Sequence, residues 1–79
     1  MAELKTILAD MVKPIVVYPD QVVITEEVKG DNVILTLNVE ASDMGKVIGK
    51  HGKIARSLRL IMKAAATQCG KKVTVEIRD

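Results

Sequence analysis

The chain has 79 residues, with 12 lysines and arginines, 10 aspartates and glutamates, and a formal net charge of +2. That length gives one domain with a small core, about one layer of helices on one sheet, and leaves no room for an enzyme needing a deep cleft and a separate cofactor domain. The single cysteine, Cys69, excludes an intrachain disulfide and a cysteine-rich zinc site, and fits a reducing compartment.

In chain order, Leu4, Ile7, Leu8, Met11, Val12 and Ile15 recur at helical spacing from about Glu3 onward. The pattern carries through Pro14, which predicts a helix that kinks or ends there. Tyr18-Pro19-Asp20 closes it. Val22 to Val28 is rich in β-branched residues, Lys29-Gly30-Asp31-Asn32 reads as a turn, and Val33 to Val39 is a second strand. In that strand Val33, Leu35, Leu37 and Val39 alternate with Ile34, Thr36, Asn38 and Glu40, so the first set is assigned to the core. Ser42 is the expected N-cap of a short helix reaching Ile48. A long helix follows from about Lys53 to Gln68, with Ile54, Leu58, Ile61, Met62, Ala65 and Cys69 as its apolar stripe and Gly70 as its left-handed stop. Val73 to Ile77 alternates once more as a final strand. Because two helices separate it from the second strand, the connection is a crossover and those two strands should be parallel. The fold class is therefore α+β, in the order α-β-β-α-α-β: a three-stranded mixed sheet with helices on one face.

The net charge hides an asymmetry. Residues 1–43 carry three lysines against eight acids, net −5, whereas residues 44–79 carry nine basic side chains against two acids, net +7. No acid interrupts the run from Met44 to Val75. Inside it lies Ile48-Gly49-Lys50-His51-Gly52-Lys53-Ile54, two glycines that permit a tight, closely approached backbone at the start of a helix whose positive end favours anions. Lys50, His51 and Lys53 are placed to hold a phosphate there. Lys46 and Arg56, in the same acid-free run on either side of the loop, complete the candidate set.

This stretch, followed by apolar Ile54 and Leu58 and set between a short and a long helix, resembles the GXXG core of a KH domain, which clamps about four nucleotides of a single strand. The element order is similar to the type II, prokaryotic KH arrangement over nearly the whole chain, and a free-standing domain of this size resembles the bacterial KhpA family. The loop departs nowhere from that pattern. The resemblance implies that Gly49, Lys50, His51 and Gly52 form the backbone clamp, that Ile48 and Ile54 are its apolar shoulders, and that Lys53 is an adjacent phosphate contact. It also implies single-stranded RNA as partner and a role as RNA chaperone or post-transcriptional regulator linked to cell-wall growth and cell shape. A homodimer, or a heterodimer with a larger KH-containing protein, is implied as well. No cofactor is implied.

Other readings carry less. With no Phe, no Trp and only Tyr18, the chain lacks the stacking platform of RRM and OB-fold readers. Val47, Ile48 and the second strand are the expected aliphatic support for bases instead. His51 is the only histidine, too few parts for a catalytic relay or a histidine metal site. Gly45 to Lys50 falls one residue short of P-loop spacing and has no Ser or Thr after the lysine. Glu26 and Glu27 are adjacent on a strand, so they point to opposite faces and do not form a carboxylate pair. The apolar run Ile15 to Tyr18 is too short to span a bilayer, and the N-terminus lacks the basic start and long apolar stretch of a signal peptide, so a cytoplasmic, non-enzymatic protein is expected. The alternative function is a KH-shaped docking module with little RNA binding. The basic loop argues against it, and Leu60 and Ala64, one turn apart and off the core stripe, are the candidate dimer contact.

Overall fold

Pro14 sets the first boundary. The computed structural model describes residues 4–79, and its first helix, α1, spans Leu4–Val12, two residues before the proline. Proline disfavours the helical conformation of the residue before it, so the apolar periodicity outlasts the helix. Lys13 N–H still donates to Ala9 O at 3.0 Å and Ile15 N–H to Val12 O at 2.9 Å, which turns the chain. Leu4, Leu8 and Val12 are buried. The expected start at Glu3 lies outside the described residues.

Strand β1 (Val23–Lys29) and strand β2 (Asn32–Asn38) form an antiparallel hairpin closed by Gly30 and Asp31, with Lys29 opposite Asn32. Gly30 has φ 62°, the left-handed geometry that a two-residue hairpin loop requires at its first position. Strand β3 (Lys72–Arg78) lies parallel to β2, pairing Val33 with Val73, Leu35 with Val75 and Leu37 with Ile77, so β2 is central and β1 and β3 are the edges. Val33, Leu35, Leu37 and Val39 are buried, as their alternation predicts, and join Ile24, Val75 and the helices in one hydrophobic cluster. The other face, with Thr25, Glu27, Thr36 and Thr74, is solvated on at least one side throughout. This gives the expected three-stranded mixed sheet with helices on one face, in KH order.

Two expectations about the second half are corrected. Ser42 does not cap the short helix: it lies inside a 3₁₀ turn, Ala41–Asp43, and its N–H donates to Glu40 Oε2 at 2.7 Å, so Glu40 caps the turn that leads into α2 (Met44–Ile48). Helix α3 spans Lys53–Gln68 as expected, but its buried residues are Ala55, Leu58, Met62 and Ala66. Ile54, Ala65 and Cys69 flank that stripe half-buried, and Ile61 is 48% exposed. A helix resting on a narrow sheet buries one thin stripe, and Ile61 lies about 100° round the axis from Met62. Gly70 has φ 70° and closes the helix: its N–H donates to Thr67 O at 3.1 Å and Lys71 N–H to Ala66 O at 2.8 Å, the paired bonds of a Schellman stop.

Candidate nucleic-acid interface

Between α2 and α3 the chain makes a left-handed corner in which three of the four residues 49–52 have positive φ. Gly49 sits at φ 75°, ψ 175°, a region open essentially to glycine alone; His51 sits at φ 57°, ψ 25°; Gly52 sits at φ 73°, ψ 15° and leads directly into α3. The two glycines are held for different reasons. A Cβ at Gly49 would lie 2.6 Å from Ile54 Cγ1, whereas one at Gly52 would meet nothing within 4 Å. His51 pays for its left-handed backbone with a contact: Arg56 Nη2 donates to His51 O at 2.7 Å, clasping the corner from the first turn of α3.

The loop spends several of its own donors. Gly49 N–H donates to Gly45 O, Gly52 N–H to Gly49 O and Lys53 N–H to Lys50 O. The remaining attraction for an anion therefore rests on the exposed Lys50, His51 and Lys53 side chains together with the positive end of α3.

Beside the corner lies a groove of about 330 Å³ between α3 and the C-terminal end of β3. Ile48, Ala55 and Ile77 give it an aliphatic lining, and His51, Gly52, Arg56 and Arg59 its polar wall. Among the described residues no acidic side chain lines it. Arg59 is anchored by Nε donating to Val75 O at 3.2 Å. Of the nine candidates from the sequence, Ile48, His51, Gly52 and Arg56 line this groove. Gly49 and Ile54 pack against each other behind the corner, and Lys46, Lys50 and Lys53 stand exposed outside it.

The expected lining is partly corrected. Val47 is fully buried and β2 lies at the centre of the sheet, so neither faces the groove; Ala55 and Ile77 take that place. Arg59 was also missing from the candidates, although its three-residue spacing from Arg56 places both on one face of α3.

A second polar arrangement ties the linker after α1 to the start of α2, away from the groove. Asp43, at the entrance to α2, is 1% exposed, and its two carboxylate oxygens accept from Val17 N–H and Tyr18 N–H, each at 3.0 Å. The linker leaving α1 is thereby tied to the helix that carries Ile48 and Gly49.

This geometry meets an independent finding: residues 5–77 match the family model described as KhpA/KhpB, KH domain. The chain belongs to the KhpA/KhpB KH-domain family. It is 45% identical over 74 residues to a protein of Clostridium acetobutylicum named RNA-binding protein KhpA, covering 94% of this chain and 99% of that one. Proteins of the same name from Bacillus subtilis (40% identical over 76 residues, 96% of this chain and 94% of that one) and Aquifex aeolicus (42% identical over 79 residues, all of both chains) are similar too. KhpA/KhpB KH domains are binding modules and not enzymes, as the sequence reading had it. No helix among the described residues is long and apolar enough to cross a membrane.

Proposed function

We propose that this KhpA-family chain binds single-stranded RNA, with the Gly49–Gly52 corner gripping the phosphate backbone and the adjacent groove receiving the bases. One observation carries the reading: a glycine corner at the head of α3 opens onto a carboxylate-free groove with an aliphatic lining and two arginines on its wall. Lys50, His51, Lys53 and Lys46 supply positive charge around the corner, and Arg56 both holds His51 and faces the strand. Gly49 and Ile54 fix the backbone that the phosphates approach, and Ile48 forms the apolar shoulder. The names of the related proteins support RNA as the nucleic acid.

Contact with few nucleotides gives modest affinity and little base selectivity, which suits an RNA chaperone or post-transcriptional regulator acting on many transcripts in the cytoplasm. Cell-wall growth and cell shape are the processes the family resemblance attaches to that role. A second copy, or a larger KH protein, raises the effective concentration of the short groove. Leu60, 69% exposed, and Ala64 on the outer face of α3 are the proposed contact.

The test is binding of labelled single-stranded RNA across a salt series. Affinity should fall with salt at a slope of about −0.7 per phosphate contact, and duplex RNA of the same sequence should compete poorly. Equal affinity for duplex and single strand at one salt concentration contradicts the groove assignment.

A further inference from the structure

The groove beside the glycine corner is not the only opening on the seam between α3 and β3. At the other end of that seam, where α3 stops and β3 begins, a larger cavity of about 550 Å³ is walled by Lys63, Thr67, Lys71, Lys72 and Thr74. It contains no carboxylate, and none of its three lysines makes an ion pair among the described residues, where the pairs are Lys29 with Glu27 and Arg78 with Glu76. Glu76, the one acid on β3, is engaged by Arg78 at 3.0 Å.

The two openings form one track. Arg56, Arg59, Lys63 and Thr67 follow one another at spacings of three and four on a single face of α3, about 16 Å from first to last. Arg59 lies between the openings, its Nε held on Val75 O in the middle of β3. The Schellman stop at Gly70 fixes the backbone of Lys71 and brings it and Lys72 to the head of β3.

We infer that the lysine cavity is a second backbone-binding site for the same RNA strand, taking the phosphates that run past the nucleotides held at the glycine corner. The inference rests on the RNA reading above. Three unpaired lysines and the Thr74 hydroxyl around a cavity with no acid among its described lining residues favour phosphate, while the Thr67 hydroxyl is spent on Lys63 O. A strand leaving the corner along this seam, whose two openings have no carboxylate among their described lining residues, arrives there after Arg59. The bound length therefore exceeds the four or so nucleotides of a lone KH groove.

The experiment uses fluorescein-labelled oligouridylates of four, six, eight and ten nucleotides with the full chain and its K63Q/K71Q/K72Q variant, whose folding is checked by circular dichroism and urea unfolding. Wild-type affinity should rise beyond four nucleotides. The variant should bind the tetramer as wild type does and lose most of that rise. Its salt slope for the decamer should be shallower by about 2, so that between 50 and 200 mM salt the wild type loses about 20-fold more decamer affinity than the variant. A variant that keeps the full gain with length assigns that gain to a second protomer and overturns the inference. Equal loss of tetramer and decamer overturns it too, since the lysines then act only through general charge. A poly-glutamate peptide is run alongside. Lysine-dependent binding of that peptide without any decamer gain assigns the cavity to an acidic protein and overturns the inference. Failure of the parent reading looks different: wild type then binds no oligonucleotide of any length, and both readings fall.

Discussion

Gly49 and Ile54 occupy adjoining space so closely that a Cβ on residue 49 would fall 2.6 Å from Ile54 Cγ1. With φ 75° and ψ 175° at Gly49, both sterics and backbone conformation reserve this position for glycine, while Gly52 is constrained by conformation alone. Gly49→Ala is therefore expected to cost about 2–4 kcal/mol, and Gly52→Ala only about 1 kcal/mol. Urea unfolding of the two variants checks this. Equal midpoints would show that the shoulder formed by Ile54 yields freely.

Asp43 makes a second prediction. Its carboxylate bridges two backbone N–H groups of the α1 linker, so Asp43→Ala should lower stability by about 2–3 kcal/mol, and Asp43→Asn, which keeps one acceptor, by somewhat less. Under conditions where the variant remains folded, its RNA affinity should match that of the wild type, because the residue is buried away from the groove. Denaturant titration and anisotropy together separate the two effects. An unchanged unfolding midpoint would mean that water replaces the carboxylate without cost.

A third prediction concerns assembly. Leu60 is 69% and Ile61 48% exposed, neighbouring apolar side chains on the outer face of α3, with Ala64 a turn further on. Sedimentation velocity at micromolar concentration should show a dimer that Leu60→Glu dissociates without unfolding. A wild-type monomer throughout removes the self-dimer.

Much of this molecule was legible in local sequence. The alternation of Val33, Leu35, Leu37 and Val39 located the core face of the sheet because a strand buried on one side repeats every two residues. Gly70 and the Lys53–Gln68 helix were readable from stop chemistry and periodicity. Asp43 was not, since its partners lie 25 and 26 residues away and a long-range polar contact leaves no periodic trace. The stripe on α3 was misplaced by the side of Ile61 because small Ala55 and Ala66, which carry little hydrophobic signal, face the core. The groove was half visible: its loop had a motif, but Ile77 and Arg59 join it only through the parallel crossover that brings the end of β3 beside the head of α3.

The most direct test of the central claim is the affinity of the Lys50→Asp, His51→Asp double variant for single-stranded RNA, measured by anisotropy at low salt with unfolding followed in parallel. Both side chains are exposed and both glycines are left in place; aspartate tolerates the left-handed conformation at position 51 better than most residues. The expected result is wild-type stability to within about 0.5 kcal/mol with RNA affinity reduced beyond detection. A folded double variant that binds RNA with wild-type affinity would contradict the assignment of the glycine corner as the phosphate grip.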